Sequence, residues 1–214
     1  MGDTAPQGNE IPLLLAPEHS LWHRATSWCR TWLFKSIVTS LLALGRLPGL
    51  RQNLPTFTKV YQKGLSNRVF LPKSWKKGDP PLPLYIDIHG GGFTMCSPLI
   101  DDRFCTDFSN DNNFLVVSLD YPKAPTHPFP AAVQSLNKAV KSILNDESLP
   151  FDKEKVAIGG FSAGGNLSLA VCQDKSLQGK IGGLISFYAP VDFTTDTKFK
   201  YVNADGILNL LPNV

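Results

Sequence analysis

Three continuous apolar runs, Phe114–Asp120, Val156–Phe161 and Ile181–Tyr188, constrain this chain more than anything else in it. Each is short and bounded by turn residues, the pattern of a strand covered on both faces. Two further strand candidates, Ser66–Leu71 and Leu82–His89, precede them. Helix-patterned stretches at Asp101–Ser109, Pro130–Leu144 and Gly165–Cys172 lie between the strands. Strand, helix and strand repeated in this way predict an α/β fold, with a mostly parallel sheet and helices on both faces. The 214 residues are 43% hydrophobic. A chain of that length buries about 70% of its unfolded surface, so a core forms without a disulfide or metal staple.

The chain divides into a helical region, residues 1–55, and a core, residues 56–214. In the first, Leu21/Trp22, Ala25, Trp28/Cys29 and Trp32/Leu33 recur at helical spacing and make one apolar stripe. With Arg24, Arg30 and Lys35 nearby such a helix can anchor at an interface. Packing on its own domain is the expectation, because buried stripes far outnumber membrane anchors. Lysine and arginine number 21 against 18 acids, a net charge of +3, which is too balanced to call for nucleic acid. Lys73, Lys76 and Lys77 flank Trp75 in the Pro-rich connection Lys73–Pro83, which reads as a solvated loop. Cys29, Cys96, Cys105 and Cys172 have neither CxxC spacing nor clustered His, so neither a metal site nor a disulfide framework is expected. A reducing, cytoplasmic setting is the default, with no cofactor. The polar start, Met1–Glu10, does not read as a signal peptide, and Val156–Gln173 is too rich in Gly and Ser for a membrane span.

The chemistry is concentrated at two strand ends. Gly160-Phe161-Ser162-Ala163-Gly164, followed by Gly165, comes directly after the apolar run Val156-Ala157-Ile158 and opens a helical stretch. A strand turning sharply into a helix needs small residues on both sides, and it holds the tip Ser in a strained conformation with its hydroxyl exposed. A phosphate loop is disfavoured: no GxGxxG follows the first strand, and no Lys-Ser/Thr follows these glycines. The sequon Asn166-Leu167-Ser168 would lie on the helix packed behind the turn and is rejected as a glycosylation site. The second feature, His89-Gly90-Gly91-Gly92-Phe93, leaves the run Leu84-Tyr85-Ile86-Asp87-Ile88. Successive glycines let backbone N–H groups face a cavity unobstructed, as an oxyanion hole requires. A third stretch, Asp120–Ala132, carries five residues of the Pro/His type in a stiff loop that leads into the next helix, and a surface role is expected for His127.

On these three motifs the chain resembles the hormone-sensitive-lipase-like group of α/β-hydrolases, over about residues 56–192. The resemblance implies a carboxylic ester hydrolase fold whose N-terminal helices form a cap over the site. It makes Ser162 the nucleophile, and Gly91, Gly92 and Ala163 the oxyanion donors. His89 orders the loop rather than acting as base, with Gly90, Gly160 and Gly164 in support. Pro122-Lys123 and Thr126 stand where the group has Arg-Leu and Glu, a departure in its local salt-bridge network. A small apolar ester is the implied substrate.

The base of such a triad follows the Ser in chain order. His19, His23, His89 and His127 all precede Ser162, and none follows it. Asp192 and Asp196 come one strand too early for the acid. Three explanations stand, in order of preference: a hydrolase cut off before its last strands, a non-catalytic ligand-binding member like the plant hormone receptors of this fold, or an unexpected base from His127 or His19. An inactive gene remnant is a further class. A core ending there would leave the Ile181–Tyr188 strand as an uncovered edge open to self-association.

Overall fold

The computed structural model describes residues 20–44 and 54–192. Asp196 and His19 therefore lie outside the described residues, as do most of the residues after Val191. Along the chain come α1 (Leu21–Leu44), β1 (Phe57–Gln62), β2 (Leu65–Phe70), β3 (Leu82–Ile88), α2 (Asp102–Asn112), β4 (Leu115–Leu119), α3 (Ala131–Leu144), β5 (Phe151–Phe161), α4 (Ala163–Cys172) and β6 (Gly183–Phe187). A short 3-10 turn, Pro98–Asp101, leads into α2.

The six strands form one sheet in the order β1-β2-β4-β3-β5-β6. β4, β3, β5 and β6 are parallel neighbours, while β1 and β2 add an antiparallel margin. The expected mostly parallel α/β sheet is therefore present. Five strands fall where the apolar runs placed them, and β5 begins earlier, at Phe151. β1 was not foreseen. Its sequence Phe-Thr-Lys-Val-Tyr-Gln alternates weakly, and it gains its place by pairing with β2 across a tight turn.

The pleat sorts the core. Leu84, Ile86 and Ile88 of β3, with Leu115, Val117 and Leu119 of β4, face a large cluster built with Leu136, Val140 and Ile143 of α3 and Leu167 and Val171 of α4. Their neighbours Tyr85 and Val116 face the opposite side, where Phe70 and α2 residues Phe104, Cys105 and Phe108 form a smaller cluster. Arg68 of β2 pins α2 to the sheet with a bidentate pair to Asp102, at 2.5 and 2.7 Å. Trp75 is not simply solvated: it packs against the large cluster and donates its indole N–H to the Pro80 carbonyl at 3.2 Å.

Two places depart from the sequence reading. The α1 stripe is not buried: Leu21, Trp22, Trp28, Leu33, Phe34 and Leu41 are all exposed. β6 was expected to be covered on both faces, yet Leu184 and Ile185 are 36% and 40% exposed. Among the described residues no strand pairs with its outer edge.

Candidate active site

β5 carries the chain through the middle of the sheet to Phe161, and α4 starts at Ala163. The single residue between them, Ser162, has φ 52° and ψ −119°. That conformation is costly for an L-residue, by about 1–3 kcal/mol, and persists only where the surroundings over-determine it. Here they do. The Ser162 N–H donates to the Phe187 carbonyl at 2.9 Å, and the Asn166 N–H donates to the Ser162 carbonyl at 3.1 Å. Phe161 stacks on Phe187 at 4.6 Å and meets Phe104 edge-on at 4.9 Å. The Asn166 side chain donates to the Pro190 carbonyl at 2.8 Å and ties α4 to the segment after β6. Gly164 is required by proximity, since a Cβ there would run into the carbonyl oxygens of Ile88 and His89. The same close approach sets the end of β3 directly beside the turn.

From that end of β3 the glycine loop departs. A Cβ on Gly90 would sit 2.9 Å from the Phe161 carbonyl oxygen and 3.6 Å from Ser162 Cβ, so the loop lies against the serine. Gly91 has φ +126°, and the carbonyl of Met95 occupies the space of its missing Cβ. The N–H groups of Thr94 and Met95 both donate to the Gly91 carbonyl, at 3.1 and 3.0 Å, which closes the loop on itself. The N–H groups of Gly91, Gly92 and Ala163 donate to no acceptor among the described residues. Ala163 is the first residue of α4, where the helix leaves its N–H groups unpaired and its dipole favours negative charge.

His89 does not face the serine as a free ring. It is fully buried, stacked on Tyr121 at 4.4 Å with 13° between the planes. Its Nδ1 lies 2.6 Å from the Gly90 carbonyl oxygen and its Nε2 lies 3.3 Å from Asp120. The Tyr121 hydroxyl donates back to the His89 carbonyl at 3.1 Å. Lys123 completes the clamp: its ammonium pairs with Asp120, donates to the Tyr121 carbonyl at 3.0 Å and lies over the Tyr121 ring. Burial lowers the His89 pKa, against the raising effect of its hydrogen bond with Asp120. Burial works to raise Asp120, but the hydrogen bonds from His89 and Lys123 outweigh it and hold this carboxyl below its ordinary value. Lys123 thus supplies a salt bridge in the stretch whose local network the sequence left undefined.

Beside the loop lies a cavity of about 500 Å³. Gly92 and Phe93 form one wall, Ala132 and Val133 of α3 another, and Leu167 and Ala170 of α4 a third. His127 is exposed at the surface, as expected, and borders the same cavity. The site thus brings together Ser162, Ala163, Gly164, Gly160 and the His89–Gly92 loop. It does not bring in Asp196 or His19, which lie outside the described residues. The parts missed in sequence were Asp120 and Tyr121 as a clamp on His89. No local pattern signals them, since only the parallel pairing of β3 with β4 brings Asp120 and Tyr121 beside His89.

A sequence model of the alpha/beta hydrolase fold matches residues 85–210. The carboxylic ester hydrolase LipN of Mycobacterium tuberculosis is 37% identical over 142 residues, 61% of this chain and 37% of that protein. Probable carboxylesterase 5 of Arabidopsis thaliana is 34% identical over 157 residues, 65% of this chain and 49% of its own length. The crystal structure of EstE1, a thermostable carboxylesterase cloned from a metagenomic library, superposes with a TM-score of 0.67 at 27% identity. It covers 81% of this chain and 62% of that one. The chain thus spans about a third to a half of the curated relatives it matches.

Proposed function

The chain belongs to the α/β-hydrolase fold family, and from that premise we propose that its site is the acyl-transfer centre of a serine carboxylic ester hydrolase. One observation carries the reading. Ser162 sits strained at a strand-to-helix turn, against the glycine loop and at the start of α4, and the N–H groups of Gly91, Gly92 and Ala163 have no acceptor among the described residues. In this mechanism Ser162 Oγ forms a bond to the ester carbonyl carbon as its proton leaves to a base. The carbonyl oxygen takes up the negative charge and is received by the three N–H groups, each worth about 3–4 kcal/mol in the transition state. Collapse of the tetrahedral intermediate breaks the ester C–O bond, and the alcohol leaves with a proton.

The substrate that fits is a small apolar ester, because aliphatic side chains and Phe93 line the cavity beside Gly92. Residues 1–55 are assigned the role of a cap, and the exposed apolar side of α1 is the kind of surface a cap turns toward a site. The edge of β6 that no described strand covers is assigned to pairing with a further strand, including that of a second copy. Among the described residues no helix is long and apolar enough to cross a membrane.

The mechanism also needs a base, and no His follows Ser162 in this sequence. With the oxyanion hole but no base, acceleration falls to about 10³–10⁴ over water. A fluorophosphonate probe tests the core of the proposal, since it labels only an activated serine. Labelling located on Ser162 by mass spectrometry and abolished in Ser162→Ala is expected. Saturable binding of a small ester without any labelling would replace the hydrolase reading with a binding one.

A further inference from the structure

Charge is spread unevenly along this chain. Between Glu18 and Asp79 stand eleven Lys or Arg residues and no acid, while from Asp79 onward acids outnumber bases fifteen to ten. The near-balance of the whole therefore hides a strongly basic segment, and such an asymmetry points to an anionic surface as partner. α1 lies inside this segment and carries Arg24, Arg30 and Lys35 without an acidic residue. Further along it, Lys63, Lys73, Lys76 and Lys77 are exposed and enter no ion pair among the described residues.

α1 presents two apolar sides. Leu21, Ala25, Trp28 and Trp32 recur at helical steps and share one of them, with Trp22, Cys29 and Leu33 beside it. Trp22 is 78% and Trp28 51% exposed, and no other described element packs extensively on the helix. The Trp28 and Trp32 rings lie 5.6 Å apart, and the Lys35 ammonium sits 4.9 Å from the Trp32 ring centroid, a cation at the border of the aromatic side. Ser27, Arg30 and Thr31 lie away from the tryptophans. Toward the C-terminal end that opposite side turns apolar, with Phe34, Ile37 and Leu41. Phe34 follows Trp32 by two residues and so points about 200° round the axis from it.

We propose that α1 docks the protein on an anionic lipid surface, lying in the plane of the interface with Trp22, Trp28 and Trp32 turned into it. Indole rings settle at the headgroup level, where an apolar body and a polar N–H are both satisfied, and the basic side chains meet the lipid phosphates and carboxylates. The helix lies on the bilayer and does not pass through it, since no described helix is long and apolar enough to cross. The row Phe34, Ile37 and Leu41 stays available to the cap role, because it faces away from the tryptophans. The docking rests on no reading of Ser162.

The full 214-residue chain serves as the test, in co-sedimentation with vesicles of phosphatidylcholine alone or with about 30% phosphatidylserine. Binding to the anionic vesicles is expected, with a blue shift of Trp fluorescence, and with release as salt rises from about 0.1 to about 0.5 M. Two double variants, Trp28→Ala with Trp32→Ala and Arg30→Glu with Lys35→Glu, should each weaken binding at least about tenfold. Their melting temperatures should match the unsubstituted chain, because no other described element packs extensively on α1. Absence of vesicle binding overturns the proposal, as does equal binding to neutral and anionic vesicles or equal binding by both variants. Self-association lost in the Trp variant, without vesicle binding, assigns this side to a second copy instead. Should a variant not fold, the unsubstituted chain decides: a salt-reversible blue shift on anionic vesicles supports the docking, and no shift overturns it. A chain that binds vesicles without labelling at Ser162 keeps the docking and loses the hydrolase reading.

Discussion

Ser162 and Gly91 hold backbone conformations for opposite reasons. Ser162 is an L-residue at φ 52° because the Phe187 carbonyl, the first turn of α4 and the end of β3 leave it no alternative. Gly91 is a glycine at φ +126° because no side chain fits there at all. Gly91→Ala therefore adds strain of about 1–3 kcal/mol and pushes the carbonyl of Met95 away. Displacing one oxyanion donor typically costs about 10²–10³ in rate. The expected outcome is a loss of Ser162 labelling of that order, with a melting temperature lowered by several degrees, read in parallel labelling and thermal-melt experiments. A variant that labels at the normal rate would remove Gly91 from the oxyanion role. Both glycine motifs were legible in sequence because each residue type was dictated by backbone sterics, which local pattern records faithfully. The clamp on His89 was not. Asp120, Tyr121 and Lys123 are separated from His89 by some thirty positions, and only the parallel pairing of β3 with β4 makes them neighbours.

At the scale of elements, that pairing ties two loops into one unit. β3 and β4 run side by side in register from Leu84↔Leu115 to Ile88↔Leu119, so the chain leaves both strands at the same end. His89 from one and Asp120–Lys123 from the other then meet directly, and the Ala124 N–H donates to the Phe93 carbonyl at 3.0 Å as a second tie. Lys123→Met tests this coupling. Hydrogen bonds, including that of Lys123, hold Asp120 below its ordinary pKa. The stability this contributes is fully present above the unfolded value near 4 and is lost as pH falls through the folded value. Removing a partly buried pair of this kind costs about 1 kcal/mol. The variant should therefore melt lower than the unsubstituted chain at pH 7, and the two curves should converge as pH falls below about 4. A constant offset down to pH 2 would show that Lys123 acts through packing over Tyr121 and not through the Asp120 charge.

At the scale of the molecule, what the sequence made visible is the part whose faces are both covered. β4 is buried from end to end and β3 at every residue but Pro83, and their apolar runs announce it. The margins are less readable, because a strand or helix with one open face carries a mixed pattern that depends on what lies against it. β1 is held by the adjacent β2 and by contacts remote in sequence, such as the pairing of Lys59 and Tyr61 with Asp146. The α1 stripe promised burial, yet its aromatic residues are exposed among the described residues. β6 combines both difficulties: its run Gly183–Phe187 is apolar enough for an interior strand, but among the described residues it pairs only with β5, and no strand covers its other edge. An apolar, unpaired edge is a template for another strand. The isolated chain is therefore expected to self-associate in a concentration-dependent way. Ile185→Lys places a charge on that edge at a side chain already 40% exposed, so it should suppress association without lowering the melting temperature by more than a few degrees. Sedimentation velocity over a range of concentrations distinguishes the cases. Equal association of the unsubstituted chain and Ile185→Lys would move the contact away from β6, and the exposed aromatic side of α1 would become the surface to substitute next.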